Sequence, residues 1–302
     1  MKLAVVGHSV VDVVREKGKE KIQPGGIFYT AAALKAVAES GDELFLITSS
    51  DGKNDGYFAE AFDRFNLSLS QKTDTIPKVY LTIHEEKERE ERFENFTQTL
   101  DVSKLSVPGF DGILINMISG NDILLEDLET LRKDYRGKIF IDIHALSKGV
   151  DEKNNRVFRL VPDYQRWLSC ADVIQVNNCE LKTISAEDEE FKRASEILSY
   201  GVKYLVVTKG ELGVRMYYGK DGETASYFIA AKKFASVNKV GCGDVFGAVF
   251  FQSFLKTGDP YAALENANIA GGIVTTYNST ERFGLLKKDL ISFDLGINKI
   301  TN

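Results

Sequence analysis

Asp172-Val173-Ile174-Gln175-Val176 is a short, β-prone run that ends abruptly in the polar Asn177-Asn178-Cys179-Glu180. Runs of the same kind recur at Leu3 to Val6, Leu44 to Thr48, Gly112 to Asn116, Lys138 to Ile143 and Tyr204 to Thr208, with helical patterns between them. Strand alternating with helix builds a mostly parallel sheet. Most of these runs are continuously apolar, as expected when helices cover both faces of the sheet. The fold class is therefore α/β.

The rhythm breaks at about Val10 to Gln23 and again at about Lys78 to Gln98, where the pattern is short, polar and strand-like without a helix. Lys78 to Ile83 alternates polar and apolar, and Phe93 and Phe96 lie beyond the charged stretch Glu85 to Arg92. A hairpin with a solvated turn over Glu85 to Glu94 is predicted. The two segments read as one excursion, either a β lid on the main domain or a surface hairpin with no role.

Composition narrows the class further. The chain has 302 residues, 43% hydrophobic and 27% charged, an ordinary globular balance. Cys170, Cys179 and Cys242 form no CxxC pair and leave an odd thiol however they are paired, which points to a reducing compartment and a cytoplasmic protein. The opening Met1 to Val6 turns polar at His8 and Ser9, too soon for a signal peptide, and no run approaches the roughly 18 apolar residues of a membrane span. With 38 basic against 44 acidic residues and a net charge of −6, the chain lacks the basic excess that a nucleic acid partner needs.

The richest stretch for chemistry is Val240-Gly241-Cys242-Gly243-Asp244-Val245-Phe246-Gly247-Ala248-Val249-Phe250-Phe251, a glycine-rich turn opening a buried helix. Amides at Gly241 and Gly243, together with the helix N-terminus, make an anion site. Asp244 there is either a helix N-cap or a general base. The glycine spacing is one residue too long for GxGxxG, and no Gly-Lys is followed by Ser or Thr, which excludes the dinucleotide fingerprint and the Walker A loop. Other polar groups fall where a doubly wound sheet places ligands, at the carboxyl ends of strands. Asn177 and Glu180 follow one strand, and Glu180 either starts a helix or organises hydrated Mg²⁺. Thr208-Lys209-Gly210-Glu211-Leu212-Gly213 follows the next, and Gly25 and Gly26 enter a helix as a hinge or a plain loop. The three histidines, His8, His84 and His144, have no metal-ligand spacing. Trp167 and the helix Val245 to Leu255 read as core.

In order and spacing these pieces resemble the PfkB, or ribokinase-like, family of carbohydrate and nucleoside kinases over nearly the whole chain. The matching motifs are Gly7 with Asp12, the pair Gly25-Gly26, Asn177 to Glu180 as NxxE, Thr208 to Gly213 as TxGxxG, and Gly241-Cys242-Gly243-Asp244 as the GAGD-like signature. The resemblance implies a single ribokinase-like domain over 1–302: a Rossmann-like sheet with flanking helices and a small β lid from about 10–23 and 78–98. It implies an ATP- and Mg²⁺-dependent kinase acting on a hydroxymethyl group of a sugar or sugar derivative, with an adenosine-like nucleoside as the alternative acceptor. Asp244 is then the base, and the amides of Gly241, Cys242 and Gly243 hold the transferring phosphoryl group. Asp12, Gly25, Gly26 and Thr30 face the acceptor. Asn177 and Glu180 govern phosphate and Mg²⁺, the latter through water, while Thr208, Gly210 and Gly213 lie along the nucleotide. Family members often dimerise through their lids, so a homodimer is among the expectations. A non-catalytic sensor that has kept the pocket is a second class, disfavoured by the presence of both Asp244 and Glu180.

Departures from the family pattern bear on the acceptor and on cations. Thr30 stands where many members have Asn, and Asp142-Ile143-His144 replaces Asp-x-Asn. Asn238-Lys239-Val240 replaces Asp-Thr-Thr. A K⁺ requirement is therefore not carried over, and the Lys239 ammonium either stands in for the cation beside the anion hole or points to solvent.

Overall fold

The computed structural model describes residues 1–16, 18–82, 90–106, 109–152 and 155–294. The central sheet contains β1 (Lys2–Val6), β4 (Glu43–Ile47), β5 (Phe65–Asn66), β8 (Gly112–Asn116), β9 (Lys138–Asp142), β10 (Val173–Asn177), β11 (Tyr204–Thr208), β12 (Gly213–Lys220) and β13 (Glu223–Ala230). Their order is β13-β12-β11-β10-β9-β8-β1-β4-β5. All neighbours from β11 to β5 are parallel, and β12 and β13 close the far edge antiparallel. A second, four-stranded sheet contains β2 (Ser9–Glu16), β3 (Lys19–Gly26), β6 (Lys78–Thr82) and β7 (Glu90–Glu94) in the order β3-β2-β6-β7.

Nine helices are described: α1 (Ile27–Val37), α2 (Ala59–Phe62), α3 (Leu125–Asp134), α4 (Tyr164–Ser169), α5 (Asn178–Leu181), α6 (Glu190–Ser199), α7 (Cys242–Thr257), α8 (Pro260–Val274) and α9 (Leu286–Asp294). Side-chain alternation along each strand divides the core into two layers. Phe140 packs with α1, α7 and α8, while its neighbours Ile139 and Ile141 pack with α3, α4 and α6. The continuously apolar strands are thus buried on both faces.

Helix α7 is the inner column of the first layer. Its ring contacts explain the all-round apolar sequence: Phe140 of β9 lies 5.3 Å from Phe251 and 6.2 Å from Phe250, centroid to centroid. Each fully buried phenylalanine contributes roughly 2–3 kcal/mol. Gly258 ends α7 in the left-handed region, and Asp259 then caps α8 by accepting from the amides of Tyr261 and Ala262, with Pro260 in the first turn.

The charged segment expected to be a solvated turn differs in part. Residues 83–89, including Ile83 and His84, lie outside the described residues, but Glu90–Glu94 is strand β7. Alternation there turns Glu91 and Phe93 inward, to 6% and 3% exposure. A carboxylate paired with Lys148, 3.0 Å away and itself buried, makes that burial tolerable, which a reading of charge alone misses.

The candidate active site

Parallel register brings the polar strand ends to one edge. Asn116 of β8 lies opposite Asp142 of β9, Asp142 opposite Gln175 of β10, and Asn177 opposite Thr208 of β11. Helix α7 starts against this edge. Its N-cap is Gly241, with φ 81° and no side-chain capping bond, so Asp244 sits in the first turn and is not the cap. A Cβ at Gly241 would collide with the ring of Tyr29, whereas Gly243 has open space where a side chain would be. The first-turn amides of α7 therefore face a cradle with no side chain in it.

Asp244 is held from the sheet. Asn116 Nδ2 donates to Asp244 Oδ1 at 2.7 Å and to Thr30 Oγ1 at 3.0 Å. Gln175 Nε2 donates to Asp142 Oδ2 and to the Gly243 carbonyl, both at 3.0 Å, tying the turn to β9 and β10. Asn116 Oδ1 and Gln175 Oε1 remain buried without a hydrogen-bond partner among the described residues, a deficit that suits a binding site better than a finished core.

Asn177 and Glu180 form a capping box on α5: Asn177 Oδ1 accepts from the amides of Cys179 and Glu180, and Glu180 Oε2 accepts from the Asn177 amide at 2.8 Å. Glu180 Oε1 lies 3.6 Å from His144 Nδ1. His144, at the unusual φ of 27°, is pushed down by burial but raised further by Glu180, Asp142 and Asp244, to about 9. Burial, then the charges of Glu180 and Asp244, push the Asp142 carboxyl well above the usual carboxylate range. Of the three carboxyl groups that act on His144, Glu180 is the one within ion-pair range.

Asp12, Gly26, Gly241, His144 and Asp244 line one cleft between the small sheet and the central sheet. Gly25 packs so closely on Asp12 that any side chain there would meet its carboxylate. Thr30 joins the cleft through Asn116. Cys242 and Gly243 lie in the adjoining turn, and Asn177 and Glu180 reach the cleft only through His144. Thr208, Gly210 and Gly213 do not line it; they lie on and after β11, where Lys209 donates to Asn178 Oδ1 at 3.0 Å. Lys239 is 67% exposed and bonds Glu211 of that loop at 2.7 Å, so it does not stand beside the anion hole as one expectation had it. Asn238 instead accepts from the Val240 amide and is anchored by its own amide to the Thr275 carbonyl. Asn116, Gln175 and Glu91 were absent from the sequence-derived site, and Asp142 and His144 appeared there only in a departure from the family pattern. A polar residue closing an apolar strand was the available signal for Asn116 and Asp142, whereas Gln175 lies inside its strand. A larger cavity of about 770 Å³, between α1, α2 and α9, contains none of these carboxylates and so is not where they act.

Comparison with known proteins supplies the class. Residues 147–285 match the family model described as pfkB family carbohydrate kinase. A stretch of 126 residues, 40% of the chain, is 31% identical to the bifunctional protein HldE of Mesorhizobium japonicum and covers 24% of it. A stretch of 111 residues, 37% of the chain, is 29% identical to the ATP-dependent ribose-1-phosphate kinase of Halopiger xanaduensis and covers 35% of it. The chain therefore spans about a quarter to a third of the length of these two curated relatives. Among solved structures, ribokinase from Thermotoga maritima superimposes with a TM-score of 0.74 at 15% identity, over 97% of this chain and 99% of that one. A pyrophosphate-dependent kinase in the ribokinase family, complexed with a pyrophosphate analog and myo-inositol, gives 0.74 at 17% identity, over 91% and 95%. Residues 147–285, which carry Glu180 and Asp244, thus resemble the pfkB carbohydrate kinase family, and the chain as a whole has the ribokinase-like fold.

Proposed function

We propose that the protein transfers a phosphoryl group from ATP, with Mg²⁺, to a hydroxymethyl group of a small sugar or sugar derivative. The observation that carries this reading is the position of Asp244, first-turn residue of α7, oriented by Asn116 and lining the same cleft as Asp12. Asp244 takes the proton from the acceptor hydroxyl. Amides of the first turn of α7 and the imidazolium of His144 face the oxygens on which negative charge accumulates. Asp12, Gly25, Gly26 and Thr30 position the acceptor. Thr208, Gly210 and Gly213 hold the nucleotide side.

The residues fit Mg²⁺ held through water. Among the described residues no three His, Cys, Asp or Glu converge as a metal site. Glu180 has one oxygen committed to the Asn177 amide and the other beside His144, which leaves it suited to water-mediated contact and not to a direct bond. Mg²⁺ supplies charge neutralisation on the donor phosphates.

The small sheet would act as a lid. The space between it and Asp244 is about 40 Å³, room for a few waters and too small for a sugar, so the acceptor must enter by moving the two apart.

The test is Asp244→Asn. Acceptor-dependent ADP formation should fall by about 10²- to 10⁴-fold while ATP affinity stays within a few fold. Near-normal turnover would remove Asp244 from the mechanism.

A further inference from the structure

We infer that the acceptor is an uncharged polyhydroxyl compound, a sugar or cyclitol without a phosphate, and that Glu91 of the small sheet sets this preference; the inference rests on the kinase reading above. The charged and titratable lining of the cleft is Asp12, Glu91, Asp244 and His144, and the rest is apolar or glycine apart from Tyr29. Among the described residues no lysine or arginine lines it. Two cations stand behind lining residues and are already engaged. Lys148 bonds Glu91 Oε2 at 3.0 Å and lies over the Phe158 ring. Arg156 stacks on Phe93 and donates to the Ala145 carbonyl at 2.7 Å.

Carboxylates accept hydrogen bonds and cannot donate them, so they complement hydroxyl groups. A phosphate brings only acceptor oxygens and up to two negative charges into a water-poor cleft that already holds three carboxylates. His144 is the one basic side chain in the lining among the described residues, and it sits 3.6 Å from Glu180, on the side where the transferred phosphoryl group belongs. A second phosphate, on the acceptor, finds no partner. Glu91 matters most because, unlike Asp12 on the same sheet, it neutralises Lys148, the only buried lysine among the described residues. The Halopiger relative is named for a phosphorylated acceptor, so the two chains would part on this point.

The experiment measures ADP formation with the full chain, ATP and Mg²⁺. One panel holds ribose, fructose and myo-inositol, and the other holds ribose-1-phosphate, ribose-5-phosphate and fructose-6-phosphate. The expected result is a kcat/KM for the best neutral acceptor at least about 100-fold above that for any phosphorylated one. A phosphorylated acceptor that equals or exceeds the neutral ones overturns the inference and leaves the kinase reading standing. ADP formation with neither panel overturns the kinase reading and the inference with it. Glu91→Gln, which exposes Lys148 to the cleft without its counter-charge, should shift the ratio at least about tenfold toward phosphorylated acceptors, while Glu91→Asp should keep it. An unchanged ratio in a folded Glu91→Gln protein removes Glu91 from the selection, and if that variant fails to fold, the wild-type ratio still decides the substrate class.

Discussion

Asn116→Leu is the perturbation that bears most directly on the catalytic geometry. Asn116 is 1% exposed at the end of β8, and its Nδ2 ties the sheet to Asp244 at 2.7 Å. Leucine has nearly the same shape, so the strand end stays filled while both donated bonds, to Asp244 and to Thr30, are lost. A hydrogen bond to a carboxylate contributes about 1.5–3 kcal/mol, and the bond to the neutral Thr30 hydroxyl about half that. If the first of these serves to orient the base, its loss appears in the barrier, where about 1.4 kcal/mol is a factor of ten. Turnover at saturating ATP should fall about 10- to 100-fold, with ATP affinity unchanged because Asn116 lies on the acceptor side. Asn116→Asp should be worse than Asn116→Leu, since it places a second carboxylate against Asp244. The assay is steady-state ADP release for the three proteins, alongside calorimetric ATP binding. A kcat within twofold of wild type for Asn116→Leu would refute the argument that the sheet orients Asp244.

Two further outcomes follow from the same site. Gly241→Ala forces a side chain into a left-handed φ of 81° and against the Tyr29 ring, which is held by Phe28 and Phe283. Strain of about 1–2 kcal/mol and overpacking of about 1–3 kcal/mol should lower the melting temperature by several degrees, and an unshifted melting curve would count against the close packing. His144 is raised to about 9 from 6.5, so its stabilising contribution is complete below about pH 6.5 and is lost as pH rises through about 9. Without Mg²⁺, wild type should lose on the order of 2–3 kcal/mol more than His144→Gln between pH 6.5 and 9.5, and equal losses in the two proteins would dismiss the carboxylate–imidazolium cluster.

Much of the fold is legible because it depends on composition within short windows. Continuous apolar runs at Lys138 and Tyr204 are buried strands, and the apolar helix after Gly241 is core. The site is legible only in part, because its contacts depend on register between distant segments. Asn116 and Asp244 are 128 residues apart, and nothing local to either announces that β8 and α7 end at the same point. Glu91 fails for a related reason: in a run of charges its inward direction is set by strand alternation and by Lys148, neither visible in the run itself. Lys239 errs in the opposite direction. Its nearness in sequence to the glycine turn suggested a role there, yet the backbone around Asn238 sends its side chain outward to Glu211.

The two readings of Glu180, helix start and site carboxylate, are compatible because they call on different oxygens of one side chain. Oε2 closes the capping box on the Asn177 amide, and that bond fixes the carboxylate plane. With the plane fixed, Oε1 is directed at His144, and through His144 at the cleft shared by Asp12 and Asp244. A cap alone tolerates glutamine, whose amide oxygen still accepts from the Asn177 amide. The site does not, because glutamine removes the charge that raises His144. Glu180→Gln should therefore leave helix α5 and the melting temperature at low pH little changed, while it increases the Mg²⁺ concentration needed for half-maximal rate. The cap fixes the direction in which Oε1 points, and a Mg²⁺ titration unaltered by Glu180→Gln would reduce Glu180 to the cap.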